Sequence, residues 1–183
     1  MKKTRRKELK YIISYMDYIK IQPLLETFLI HDKHGDTASY PVHSIYLDDL
    51  EFTGASDKAF GNEFHKKYRI RYYDDYQKIK FEIKEKSGDD SVKTSTMISN
   101  QVFQAIIHQD IDLLHQHMDD EVIRRFILDY NLRHMLPQVV MSYQREAYKD
   151  ESDNLRITFD HTLCGEMFDP DLYSSDFKLM SDH

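Results

Sequence analysis

Apolar and polar residues alternate with period two across Lys66 to Lys86, the clearest strand pattern in the chain. Lys67, Arg69, Arg71 and Tyr73 fall on one face, opposite Tyr68, Ile70 and Tyr72. After Asp74 to Gln77, a length that suits a hairpin connection, the pattern resumes. Lys78, Lys80, Glu82, Lys84 and Lys86 then oppose Ile79, Phe81 and Ile83. The spacing predicts two neighbouring antiparallel strands, each apolar on one side and basic on the other. Like charges directly opposite one another destabilise a sheet, so the basic side calls for an anion lying over it.

The other predicted elements follow the same two periodicities. Lys7 to Ile13 reads as a first strand, with Glu8, Lys10 and Ile12 alternating against Leu9, Tyr11 and Ile13. Tyr18 to Ile30 reads as a helix with Ile21, Leu24, Leu25, Phe28 and Leu29 as its stripe and Pro23 marking its first turn. His31 to Tyr40 is a polar loop, and Val42 to Asp48 a second strand. Asp49 to Asn62 is irregular, with Lys58 placed to reach an anion from a loop. A turn over Ser87 to Ser91 leads to a short strand, Val92 to Met97, carrying Lys93. Ser99 is an N-cap for a helix to about His108, and Asp119 to Asn131 a further helix. His108, His115 and His117 between them have no rigid metal spacing and read as solvent or helix-end residues. Val139 to Tyr148 is a strand on which Tyr143 and Arg145 share a face. In the strand Leu155 to Asp160, the residues Arg156, Thr158 and Asp160 point away from the core. Thr162 to His183 is acidic and weakly patterned. Six to seven antiparallel strands and three helices make an α+β fold. A flat sheet would leave the inward charges in water, and a sheet curled into a barrel or tunnel would place them in a lumen.

Composition narrows the ligand. The 183 residues form one domain spanning 1–183, with a formal net charge of -7. That balance is wrong for a nucleic-acid binder, and the basic residues are not interleaved with exposed stacking aromatics. A basic face inside an acidic protein fits a small, highly charged anion in a focused field. Cys164 is the only cysteine, which rules out an intrachain disulfide or a thiolate metal cluster and fits a reducing, cytoplasmic compartment. The basic N-terminus has no apolar run after it, and no stretch approaches the length of a membrane span.

Seven short motifs, in register over residues 6 to 160, carry a family resemblance. Arg6-Lys7-Glu8-Leu9-Lys10-Tyr11 matches R-x-E-x-K-Y, and Ser44-Ile45-Tyr46-Leu47-Asp48 is similar to S-[IL]-Y-F-D. Lys58 and Gly61 match K-x-x-G, and Lys67, Arg69, Arg71 and Tyr73 match K-x-R-x-R-x-Y. Glu82-Ile83-Lys84-Glu85-Lys86 matches E-[IV]-K-x-K. Tyr143-Gln144-Arg145-Glu146-Ala147-Tyr148 and Leu155-Arg156-Ile157-Thr158-Phe159-Asp160 match Y-x-R-x-A-Y and L-R-I-T-F-D. Together they resemble the polyphosphate polymerase domain of the vacuolar transporter chaperone (VTC) type, within the triphosphate tunnel metalloenzyme (CYTH-like) superfamily. His65 stands where that family has Arg, Asp49 where it has Thr, and Thr94 where a second basic residue follows the lysine. The strand with an inward Glu and Lys, the closing helix and the final basic segment of the family find no match before His183, so the tunnel is expected to be incomplete at its C-terminal end.

The resemblance implies an antiparallel β tunnel with flanking helices, binding ATP, triphosphate or polyphosphate with Mn²⁺ or Mg²⁺. It implies catalytic roles for Lys10, Arg69, Arg71, Lys84 and Arg145. It implies substrate contacts from Lys58, Lys67, Lys86, Lys93, Tyr143 and Arg156, and metal ligation by Glu8 and Glu82. Transfer of the terminal phosphoryl of ATP onto a growing polyphosphate chain is the activity implied. Triphosphate hydrolysis and non-catalytic polyphosphate binding are the alternatives, and no nucleic-acid partner is expected.

Overall fold

The computed structural model describes residues 2–4, 9–32, 39–73, 78–88, 90–152 and 155–173. The strands are β1 (Lys2–Thr4), β2 (Ile30–His31), β3 (Ser39–Asp48), β4 (Phe64–Tyr72), β5 (Ile79–Ser87), β6 (Asp90–Ile98), β7 (Leu136–Lys149) and β8 (Arg156–Met167). The helices are α1 (Tyr15–Phe28), α2 (Thr53–Ala59), α3 (Asn100–Ile107), α4 (Ile111–His115) and α5 (Glu121–Arg133), with a 3₁₀ turn at Pro170–Tyr173. The architecture is α+β, with antiparallel ladders and flanking helices. No helix among the described residues is long and apolar enough to cross a membrane.

The chain forms two compact units. The first comprises residues 1–6, 43–141 and 165–183, and the second 7–42 and 142–164. Strands β3, β7 and β8 contribute to both.

In the first unit the strand order is β1-β6-β5-β4-β3. The apolar faces of β4 and β5 bury Tyr68, Ile70, Tyr72, Ile79, Phe81 and Ile83, as their alternation predicts. Helices α3 and α5 cover that side with Val102, Phe103, Ile106, Val122, Ile123, Phe126 and Ile127, and Leu114 of α4 is fully buried in the same cluster. Phe126 meets Phe81 and Tyr68 edge-on, at centroid distances of 5.3 and 5.6 Å. Burying each such side chain is worth about 1.5–3 kcal/mol, so this layer anchors the sheet. The helix starts are set by oxygen caps. Ser99 Oγ accepts from Val102 N–H at 3.2 Å, and Asp120 Oδ1 accepts from Val122 and Ile123 N–H at 2.8 and 3.2 Å. Helix α5 ends on His134 in the left-handed conformation, φ 54°. The β5–β6 turn is tighter than the predicted Ser87 to Ser91, because Ser87 and Asp90 pair and Gly88 turns the chain at φ 59°.

In the second unit β7 is flanked by β2 and β8. Helix α1 opens on a capping box: Ser14 Oγ accepts from Asp17 N–H, and Asp17 accepts from the Ser14 N–H. The box sets the start three residues before the predicted one, so Pro23 falls inside the helix rather than in its first turn. The predicted stripe is only half right. Ile21, Leu25 and Leu29 are half-buried, whereas Leu24 and Phe28 are exposed. Tyr18 is the anchor: its hydroxyl donates to Glu146 Oε1 at 2.8 Å, and its ring meets Phe159 edge-on at 5.0 Å.

Other expectations change. Leu9 to Ile13 forms no strand; the edge of β6 is occupied by Lys2–Thr4, and Tyr11 and Ile12 are exposed. His31 belongs to β2, with its ring 4.6 Å from that of Tyr148, while His34 lies outside the described residues. The segment after β3 folds into α2, and α4 fills part of the span read as a connection. Strand β7 begins at Leu136, and β8 continues seven residues past Asp160, to Met167.

Candidate anion-binding face

Cross-strand register turns the alternation into a two-dimensional charge pattern. Paired residues on neighbouring strands present their side chains on one face. In β4, β5 and β6 the rows on the face opposite the helices read His65, Lys86 and Ser91; then Lys67, Lys84 and Lys93; then Arg69, Glu82 and Ser95; then Arg71, Lys80 and Met97. Seven of these twelve positions are Lys or Arg, and Glu82 is the only acidic one. Strand β3 extends two rows, with Tyr46 beside Arg69 and Ser44 beside Arg71.

Glu82 sits at the centre and is 2% exposed. Arg69 Nε donates to its Oε2 at 2.9 Å, and Arg69 Nη2 contacts the same oxygen. Lys93 Nζ lies 3.2 Å from Oε1. Burial alone would push the Glu82 carboxyl up, but Arg69, Lys93 and Arg71 outweigh it and hold the carboxyl at about 2. Burial works against the Arg69 charge too, and Glu82 and the Tyr46 hydroxyl more than offset it, so Arg69 is held charged. Ser44 Oγ is buried with no hydrogen-bond partner among the described residues.

At the end of β3, Asp48 is committed to local structure. Its carboxylate accepts from Gly54 N–H at 2.9 Å, Ala55 N–H at 2.9 Å and Asp49 N–H at 3.0 Å, fixing the first turn of α2. A chain reading gives no hint of this, because α2 lacks an apolar stripe. Lys58 lies in α2.

In the second unit Arg145 forms a fork with Asp160, at 2.6 Å from Nε to Oδ1 and 2.7 Å from Nη2 to Oδ2. Burial opposes the Arg145 charge, and Asp160 and Tyr143 more than restore it. The guanidinium carbon of Arg145 is 5.2 Å from the Tyr143 ring centre. Arg156 reaches Asp32 Oδ2 at 2.8 Å and the Tyr40 hydroxyl at 3.3 Å. The alternation does not mark Asp32 or Asp160 as partners; its one signal is that Asp160 shares a strand face with Arg156. Lys10 is exposed and outside regular structure. Glu8 lies outside the described residues.

The arrangement offers a polyanion two rows made up largely of cations, Lys67–Lys84–Lys93 and Arg71–Lys80, on either side of Glu82. Its fit to a divalent metal is poor. Among the described residues no group of three or more His, Cys, Asp or Glu could hold one. A hard cation needs carboxylate oxygens free to coordinate, and both Glu82 oxygens face protein cations.

The family model described as "VTC domain" matches residues 5–179. A candidate adenylyl cyclase from Hippeastrum, described as having a dominant triphosphatase activity, shares the fold at 18% identity and a TM-score of 0.54, over 93% of this chain and 80% of that one. A candidate adenylate cyclase from Bacillus halodurans aligns at 13% identity and a TM-score of 0.48, over 88% of this chain and 79% of that one. No curated protein matches the chain in sequence.

Proposed function

Because the chain belongs to the VTC domain family, we propose that it binds triphosphate or polyphosphate and transfers the terminal phosphoryl group of ATP to a growing polyphosphate chain. The observation that carries this is the face of β4, β5 and β6, where seven of twelve positions are cationic against Glu82 alone. Such a face attracts a polyanion, whose charge offsets the like-charge contacts between neighbouring strands.

The chemistry asks little of the protein beyond placement. A transferring phosphoryl group gathers charge on its nonbridging oxygens, and fixed cations stabilise that charge without reorganising. Arg71 can grip two oxygens at once, and Lys67, Lys80, Lys84, Lys86 and Lys93 supply point charges. The family motifs also assign substrate contacts to Lys10, Lys58, Tyr143, Arg145 and Arg156. Arg145 and Arg156 would each exchange a carboxylate for phosphate oxygen. Mn²⁺ or Mg²⁺ remains part of the family assignment, although Glu82, with both oxygens facing protein cations, is poorly disposed as a ligand. The 1–183 chain acts as a single functional domain in this reading, in the cytoplasm.

A second reading is triphosphate hydrolysis. It is favoured by the fold likeness to a protein described as a triphosphatase. Incubation with ATP and Mn²⁺, followed by separation of products by length, distinguishes them. Long-chain polyphosphate supports transfer, and orthophosphate alone supports hydrolysis. Intact ATP with tight polyphosphate binding would leave a binding module, and no binding of either would overturn the assignment.

A further inference from the structure

We propose that Glu82 is a built-in counter-ion that part-neutralises Arg69 and Lys93 until substrate arrives, and not a metal ligand. The inference rests on the triphosphate-binding reading above.

Three observations carry it. Glu82 is 2% exposed, beneath cations that are themselves partly exposed, with side chains at 24% for Arg69 and 36% for Lys93. Each carboxylate oxygen already faces a different cation, Oε2 toward Arg69 and Oε1 toward Lys93. Glu82 also stands directly opposite Arg69 and Ser95 on its two neighbouring strands, so register fixes the contact to Arg69. A metal entering here would have to displace Arg69 or Lys93 and then sit beside the displaced charge. That costs Coulomb energy in a site with little water to screen it.

The charged groups facing Glu82 come from both flanking strands: Arg69 and Arg71 of β4, and Lys93 of β6. Tyr46 of β3 holds the far side of Arg69. Arg69 is thereby fixed between a carboxylate and a phenol hydroxyl. The central carboxylate also lowers the net charge of the face, which restrains non-specific capture of any polyanion.

The test is tripolyphosphate binding to the full chain, in EDTA over a salt series and then across a Mn²⁺ titration. Glu82→Gln removes the charge and keeps the shape. In EDTA it should bind about tenfold tighter at low salt, with a steeper loss as salt rises, because Arg69 and Lys93 are no longer part-neutralised. Its response to Mn²⁺ should match wild type. Glu82→Asp keeps the charge and should stay within about twofold of wild type in EDTA, again with an unchanged Mn²⁺ response. A metal ligand behaves differently: both variants would need more Mn²⁺ than wild type. That result overturns the inference. If Glu82→Gln does not fold, Glu82→Asp decides alone by whether its Mn²⁺ requirement rises. Wild-type protein that fails to bind tripolyphosphate overturns the functional reading itself, and is recognised before any variant is compared.

Discussion

Arg69 and Glu82 stand directly opposite each other on adjacent strands, and the guanidinium Nε reaches the carboxylate at 2.9 Å. This pairing of a buried carboxylate sets an acid limit on the fold. Burial would raise the Glu82 pKa, but the cations around it lower it from 4.5 to about 2. A depressed carboxyl contributes stability that is present above its unfolded value and lost as pH falls through its folded value. The contribution should therefore be full above about pH 4.5 and gone near pH 2. A shift of that size corresponds to about 3 kcal/mol. Denaturant midpoints measured between pH 2 and 5 should fall for wild type, with a shallower fall in Glu82→Gln. Equal slopes would mean that the pair is not formed.

The end of β3 gives a prediction about backbone rather than charge. Asp48 accepts from three backbone N–H groups, and Gly54 sits against it. A Cβ at Gly54 would lie 3.1 Å from both Asp48 Oδ1 and the Lys66 carbonyl oxygen. The carbonyl belongs to β4 and cannot swing away. Gly54→Ala should cost about 1–3 kcal/mol. Asp48→Ala leaves three donors uncapped and should cost about 2 kcal/mol. Thermal melts of both variants check this, and unchanged midpoints would remove Asp48 as the organiser of α2.

These two sites show how much the sequence made legible. Period-two alternation placed Lys67, Arg69, Arg71, Lys80, Glu82 and Lys84 on one face, because side-chain direction in a strand follows from parity alone. Alternation does not give register, so the pairing of Glu82 with Arg69 and Lys93 could not be read. The same limit explains Leu9 to Ile13. The segment alternates, but alternation supplies no partner strand, and the strand beside β6 is β1. Helix α2, read as TGASDKA, has no apolar stripe; its start depends on Asp48, five residues before its first residue. Strand β8 past Asp160 is exposed, so burial left no periodic trace there.

The row Lys67–Lys84–Lys93 should serve binding more than stability. Lys84 is exposed on the face opposite the helices, between Lys67 and Lys93 in register. Lys84→Gln should therefore melt within about 0.5 kcal/mol of wild type without anions. Its tripolyphosphate affinity should fall about fivefold, and the rise in Tm that saturating tripolyphosphate gives should shrink. A lower apo Tm with undiminished binding would show that Lys84 serves the fold instead.

Tyr68 tests whether the two faces of β4 are independent. Its hydroxyl, on the helix-covered side, lies 2.9 Å from Asp129 Oδ2 and 3.1 Å from the Arg125 carbonyl oxygen. Lys66 Nζ reaches the same Asp129 oxygen at 2.6 Å. Burial and Asp129 both push the Tyr68 phenol well above its usual range, so the hydroxyl stays protonated and donates at any working pH. Tyr68→Phe removes only that donor. Asp129 keeps Lys66, and the loss should be about 1–1.5 kcal/mol in a denaturant titration. Because Arg69 and Arg71 point the other way, tripolyphosphate affinity and its salt dependence should not change. A variant that binds more weakly while still fully folded would mean that the helix layer, and not the strand register alone, sets the position of the cations.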